Sequence, residues 1–238
     1  MLSFREDVEG ACFAVTNRHS GLSRSPYDGL NLATHVGDDP ATVADNRRAL
    51  SAELGVCGLR GIAWMDQVHG ADVAVVDAPG SLPVADALVT RTRGLALAVL
   101  VADCTPVLVA DPQAAVVGVA HAGRKGLGLG VVPALLAAMR TAGARNLIAR
   151  VGPSICGRCY EVPLSLREEV ATAVPEARSV TRSGAPSLSI AAGVVAQLVA
   201  GGADVDWLPG CSAESADLYS YRRDGGSTGR YAGLAWLA

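Results

Sequence analysis

A cysteine in Ala102-Asp103-Cys104-Thr105-Pro106 and a histidine in Ala120-His121-Ala122-Gly123 stand seventeen positions apart, each at the close of an apolar run, 95–102 and 114–120. Such runs read as buried strands, so a thiol and an imidazole are delivered where strands reach an edge. The pair has two chemical uses. The side chains can share a metal ion, or the imidazole can take the thiol proton and make the sulfur a nucleophile. His69, in Gln67-Val68-His69-Gly70 after the apolar stretch 62–65, can complete a set of two histidines and one cysteine. Three protein ligands with a fourth position open mark a catalytic zinc site rather than a structural one. The plain alternative is a buried cysteine and a core histidine. Asp103 is either an acceptor that orients a histidine ring or a turn residue.

Three further motifs can do chemistry. Arg222, Arg223 and Arg230 surround the small-residue loop Asp224-Gly225-Gly226-Ser227-Thr228-Gly229, whose amides and guanidinium groups suit an anion such as phosphate. Cys156-Gly157-Arg158-Cys159 has thioredoxin-like spacing, but no second such pair exists to make a four-cysteine zinc site. His19 and His35 lie in a polar N-terminal region and read as exposed.

The elements that must position these residues follow from periodicity. A first strand is expected over 11–16, then a polar loop over 17–31. Helical spacing runs from Asp39-Pro40 to Leu54, with Gly55 as a C-terminal stop. Strands are expected over 62–65, 73–76, 87–89 and 95–101, and the segments 107–110 and 116–120 form a hairpin through Asp111-Pro112-Gln113. One helix is expected over 126–142, a strand over 147–151, and helices over 165–174 and 191–200. Segment 180–189 is left as loop or edge strand, 205–208 is a late strand, and 219–230 a loop. Strands in groups with helices interspersed give a mixed α/β, or α+β, layered fold. No repeat or long linker forces a boundary, so a single domain over 1–238 is expected.

Half of the 238 residues are hydrophobic and 18% are charged, and a chain of this size buries roughly 70% of its unfolded surface without a disulfide scaffold. With aromatics at 4%, the core must be built of Ala, Val and Leu. A net charge of −3 argues against nucleic acid, whose binders show a basic face. No apolar stretch approaches the ~20 residues that cross a bilayer, so a cytoplasmic protein that does not enter a membrane is expected. In that compartment the six cysteines, Cys12, Cys57, Cys104, Cys156, Cys159 and Cys211, are fillers, ligands or nucleophiles.

Leu30-Asn31-Leu32 with Val36-Gly37-Asp38-Asp39-Pro40, Asn46-Arg47, Gln67-Val68-His69-Gly70, Ala102-Asp103-Cys104, His121-Ala122-Gly123, Gly152-Pro153-Ser154-Ile155, Cys159-Tyr160-Glu161-Val162 and Ser220-Tyr221-Arg222-Arg223-Asp224 together resemble the YfiH-like family. That family is labelled both laccase-domain polyphenol oxidase and purine nucleoside phosphorylase. The resemblance implies a four-layer α/β/β/α fold similar to cysteine-dependent toxin deamidases, with His69, Cys104 and His121 as metal ligands. It also implies phosphorolysis of adenosine, inosine, guanosine and methylthioadenosine, and deamination of adenosine. Asn31, Arg47, Arg222 and Arg223 are the candidates to hold nucleoside and phosphate. Zinc suits the ligand set. One copper also accepts two histidines and a cysteine, but four histidines in the whole chain cannot furnish a multicopper centre.

The chain departs from the family pattern in places. His121-Ala122-Gly123-Arg124-Lys125-Gly126 stands where His-Ala-Gly-Trp-Arg-Gly is usual, which removes an aromatic surface. Arg158-Cys159 replaces two consecutive cysteines, with Cys156 upstream, and Ser187-Leu188-Ser189-Ile190 replaces a late His-Leu-Asp-Leu. Two rival readings stay open. One is a cysteine hydrolase that edits peptidoglycan precursors, with Cys104 attacking an amide and His121 as base. The other is a metal-binding or partner-binding module that no longer turns over, suggested by Arg124. Oligomeric state is left open.

Overall fold

The computed structural model describes residues 1–55, 59–80 and 82–238; Cys57 lies outside them. In chain order the elements are β1 (Leu2–Val8), β2 (Ala11–Thr16), α1 (Pro40–Gly55), β3 (Gly61–Ala63), β4 (Val73–Val75), β5 (Ala87–Thr90), β6 (Leu95–Val101), β7 (Thr105–Asp111), β8 (Val116–Ala122), α2 (Arg124–Leu129), α3 (Val131–Thr141), β9 (Ile148–Val151), α4 (Leu164–Ala173), β10 (Arg178–Val180), β11 (Pro186–Leu188), α5 (Ile190–Ala200), β12 (Asp204–Trp207) and β13 (Tyr231–Leu237). Five strands form one sheet in the order β1-β2-β13-β6-β3, and six form another in the order β12-β9-β7-β8-β5-β4. No helix among the described residues is long and apolar enough to cross a membrane.

Strand periodicity sorts the apolar side chains into three cores. Along β6, Leu95, Leu97, Val99 and Val101 point between the two sheets, while Ala96, Ala98 and Leu100 face α1. On β8, Val117 and Val119 enter the same inter-sheet core, while Ala120 and Ala122 face α3 and α5. Successive side chains of a strand leave opposite faces, so a central strand covered on both sides is buried along its whole length and mostly apolar, as β6, β7 and β8 are. The result is a mixed α/β fold in four layers, α/β/β/α. Small side chains let the layers approach: a Cβ on Gly118 would meet Leu135 Cδ1 at 2.7 Å, so α3 rests directly on the β8 backbone.

Several elements differ from the sequence expectation. The expected helix over 126–142 is two, α2 and α3, broken at Gly130, whose φ of 84° a helix interior does not admit. The 180–189 segment is a two-stranded ribbon of β10 and β11. Two strands were not read from the sequence. β1 is an edge strand whose charged residues mask its alternation, and Glu6 reaches inward to Arg150 at 2.6 Å. β13, seven residues from the C-terminus inward, lies between β2 and β6 at the centre of its sheet.

This architecture sets up the site. β6 belongs to one sheet and β7 to the other, so residues 102–104 carry the chain across the gap between them. Asp103 takes φ 90° at that crossing. Cys104 is left against the end of the inter-sheet core. In the β7–β8 hairpin Pro106 pairs with His121. By strand parity with Val117 and Val119, His121 points toward the same gap.

Candidate metal centre and its cavity

The ligand atoms of His69, Cys104 and His121 all lie within 4.8 Å of one another. Cys104 Sγ is 3.9 Å from His69 Nε2, and the two imidazole rings meet edge to face with centroids 4.7 Å apart. A tetrahedral zinc ion holds sulfur and nitrogen ligands about 3.6 Å apart, so the donors fit such an ion with small adjustments. Burial pushes the Cys104 thiol up, but the imidazoles of His121 and His69 outweigh it and bring the pKa down to about 6. Burial also disfavours charge on His121, yet the Cys104 sulfur and the Asp86 carboxylate raise it to about 9. The site therefore carries a thiolate at neutral pH, the form that binds a metal.

Asp86 is the residue that sequence reasoning missed. Fully buried, it accepts a hydrogen bond from His121 Nδ1 at 2.8 Å and from the backbone N–H groups of Val68, His69 and Gly70 at 3.2, 3.0 and 2.6 Å. Burial raises its pKa, and these donors outweigh that to hold it below the usual carboxylate range. One carboxylate thus fixes the His121 tautomer, leaving Nε2 for a metal, and also shapes the turn that carries His69 at φ 60°. The only mark of Asp86 in the sequence is a lone acid at the head of the apolar run 87–89. Gln67 anchors the other side of that turn, donating to Leu100 O and accepting from Leu100 N, both at 2.8 Å. Gly123 completes the packing: a Cβ there would meet His69 Cδ2 at 2.9 Å and Cys104 Sγ at 3.1 Å.

The three donors open onto a cavity of about 480 Å³, within the ~300–1,000 Å³ of small-molecule sites. Leu100, Val101, Ile155 and Ile190 give it an apolar wall, Tyr160 and Tyr221 aromatic surfaces, and Arg124, Arg222 and Arg230 positive charge. His35, exposed as expected, also stands on its lining. Arg222 donates to Glu161 O at 2.9 Å and lies over the Tyr160 ring, its guanidinium carbon 5.1 Å from the centroid. Arg230 donates to Thr228 O and Gly229 O at 2.8 and 3.0 Å.

Of the residues expected from the sequence, the fold brings His69, Cys104, His121 and Arg222 to this cavity, and Asn31, Arg47 and Arg223 are not on its lining. Asn31 is buried and bonds Ala33, Asp38 and Arg230. Arg47 donates to Leu32 O at 2.9 Å and stacks on Trp64 at 4.0 Å, with burial lowering its pKa to about 10. Arg223 donates to the carbonyls of Ser212, Ser215 and Leu218. Asp103 does not orient a histidine. It accepts from Ser212 Oγ, Ser220 Oγ and Arg222 N at 2.6, 2.7 and 2.6 Å, and so ties the arginine-bearing loop to the residue before Cys104. His19 pairs with Asp217 at the surface, away from the cavity.

Residues 12–238 match the family described as multi-copper polyphenol oxidoreductase laccase. A crystal structure of YfiH from Bacillus licheniformis superposes with a TM-score of 0.85 at 26% identity, over 96% of this chain and 93% of that one. The chain belongs to this laccase-domain, YfiH-like family. A Neisseria meningitidis member of known structure gives a TM-score of 0.87 at 34% identity, covering 98% of each chain. A Streptomyces coelicolor relative named purine nucleoside phosphorylase is 54% identical over the full length of both chains. The YfiH-like fold is thus shared across the whole length.

Proposed function

We propose that the protein is a zinc-dependent purine nucleoside phosphorylase acting on adenosine, inosine, guanosine and methylthioadenosine, with deamination of adenosine as a further activity of the same site. The observation that carries the reading is the convergence of two imidazoles and one thiolate, locked by Asp86, at the edge of a cavity bearing three arginines. The names of the relatives at high identity support it. His69, Cys104 and His121 would hold the ion, and a bound zinc supplies Lewis-acid stabilisation of developing charge. Arg222, Arg230 and Arg124 offer guanidinium groups to phosphate. Tyr160 and the apolar wall offer a surface to a purine, in place of the aromatic lost at Arg124. Positioning and charge stabilisation are what phosphorolysis requires of a protein.

Among the described residues, His69, Cys104 and His121 form the one histidine-bearing donor cluster that could take the copper named in the family description. Of the chain's four histidines, His19 is held by Asp217 and His35 stands outside the donor cluster.

A second reading rests on one observation: a half-buried thiol with two imidazoles within 4.8 Å, which pull its pKa down to about 6, is also the arrangement a nucleophilic cysteine needs. The two separate cleanly. Zinc-loaded wild type given inosine and phosphate is expected to yield hypoxanthine and ribose 1-phosphate, with Cys104 protected from iodoacetamide, and Cys104→Ala is expected to lose cavity zinc and turnover together. Phosphorolysis that persists in metal-free protein would overturn the proposal, and rapid alkylation of the active enzyme at Cys104 would favour the nucleophile.

A further inference from the structure

The geometry points to a second metal site, a zinc ion held by Cys156, Cys159, Cys211 and Glu214. The three sulfurs and a carboxylate oxygen lie within 4.8 Å of one another, and zinc in a tetrahedral site spaces its thiolate ligands about 3.8 Å apart. Two turns bring them together. Cys159 N and Tyr160 N donate to Cys156 O at 2.9 and 3.0 Å, closing the first turn. Its Gly157 has no room for a side chain, since a Cβ would meet Ser179 Oγ at 2.4 Å. In the second turn Glu214 N and Ser215 N donate to Cys211 O at 3.1 and 2.9 Å. The turns are cross-bonded: Ser212 N donates to Ser154 O at 3.1 Å, and Cys156 N donates to Cys211 Sγ at 3.3 Å. An N–H aimed at a sulfur stabilises its thiolate.

The donor chemistry selects the ion. Three thiolates favour zinc over magnesium or calcium, which take oxygen ligands. Four protein donors with no member on the cavity lining match a closed structural site rather than a catalytic one. Cys159 Sγ donates to Glu214 Oε1 at 3.3 Å, and Arg182 pairs with that carboxylate at 2.6 Å. Zinc uptake displaces the thiol protons, and Arg182 is the cation that balances the Glu214 carboxylate. The ion would clamp segment 152–161 to segment 211–222. The first supplies Ile155 and Tyr160 to the cavity and the second Tyr221 and Arg222. Ser212, beside Cys211, bonds Asp103 and hence the Cys104 crossing.

The test measures zinc by elemental analysis in protein purified with reductant and dialysed. Cys104→Ala is expected to retain one zinc per chain, and Cys104→Ala/Cys211→Ser none, with unchanged far-UV circular dichroism. Should the double variant fail to fold, Cys104→Ala/Glu214→Gln keeps all three sulfurs and is expected to surrender its zinc to a weak chelator that spares the parent. Cobalt substitution of Cys104→Ala is expected to give strong thiolate-to-metal absorption. The proposal is overturned if Cys104→Ala holds no zinc, if the double variant still holds one, or if freshly purified protein is lighter by two hydrogens because Cys156 and Cys159 are joined.

Discussion

The cluster of His69, Cys104 and His121 and the cluster of Cys156, Cys159, Cys211 and Glu214 are both within reach of a metal ion, yet the fold supports them differently. The first takes His121 from the end of β8, Cys104 from the crossing before β7 and His69 from a turn, is braced by a buried carboxylate, and opens to a cavity. The second is built from turns bonded to one another and contains no histidine. A site that does chemistry needs ligands held rigidly with a face left open. A site that fastens loops needs only enough donors to close around an ion. The difference teaches that donor atoms alone do not define a role; the residues behind them and the space in front of them do.

That contrast can be broken at Asp86. Asp86→Asn removes the charge that orients His121 and shapes the His69 turn, so cavity zinc is expected to bind roughly 10–100-fold more weakly, while zinc on the cysteine cluster is unchanged. Equal loss from both clusters in a competition titration would show that Asp86 merely supports the fold. A smaller effect separates neighbouring arginines. Arg222→Ala is expected to raise KM for phosphate about 10-fold, the worth of one charge-assisted hydrogen bond. Arg223→Ala is expected to leave KM near wild type and lower Tm instead, because its guanidinium holds three backbone carbonyls.

The smallest effect is one of pH. In metal-free protein, alkylation of Cys104 is expected to rise as pH increases through about 6, because the thiolate is the reactive form. Cys159 is expected to stay unreactive across that range, since burial, the Glu214 carboxylate and the Cys156 sulfur raise its pKa. Peptide mapping after timed alkylation reads both sites at once, and a Cys104 midpoint near that of an ordinary thiol would remove the electrostatic case for the pair.

The strands that deliver the chemistry were legible because they are buried on both faces: β6 and β8 show as apolar runs, with Cys104 just past the end of the first and His121 at the end of the second. His69 was legible only through its motif, since a turn has no periodicity. Asp103 shows the limit. Standing before Cys104, it reads as an orienter of histidine, but its positive φ turns the carboxylate toward Ser212 and Ser220 instead. Asp86, thirty-five positions from the histidine it holds, carries no local signal. Cys156-Gly157-Arg158-Cys159 lacked a second cysteine pair in the sequence. The fold supplies Cys211, fifty-five positions from Cys156, and Glu214 from a separate turn.

By itself the sequence determined the layered α/β class, the Ala-, Val- and Leu-built core and the residue types able to bind a metal, because periodicity and side-chain chemistry act over a few residues. Which donors converge, which acid braces them, and which arginines reach the cavity were decided only when two sheets packed face to face. Those distances are set by strand order and crossing loops, which no local pattern encodes.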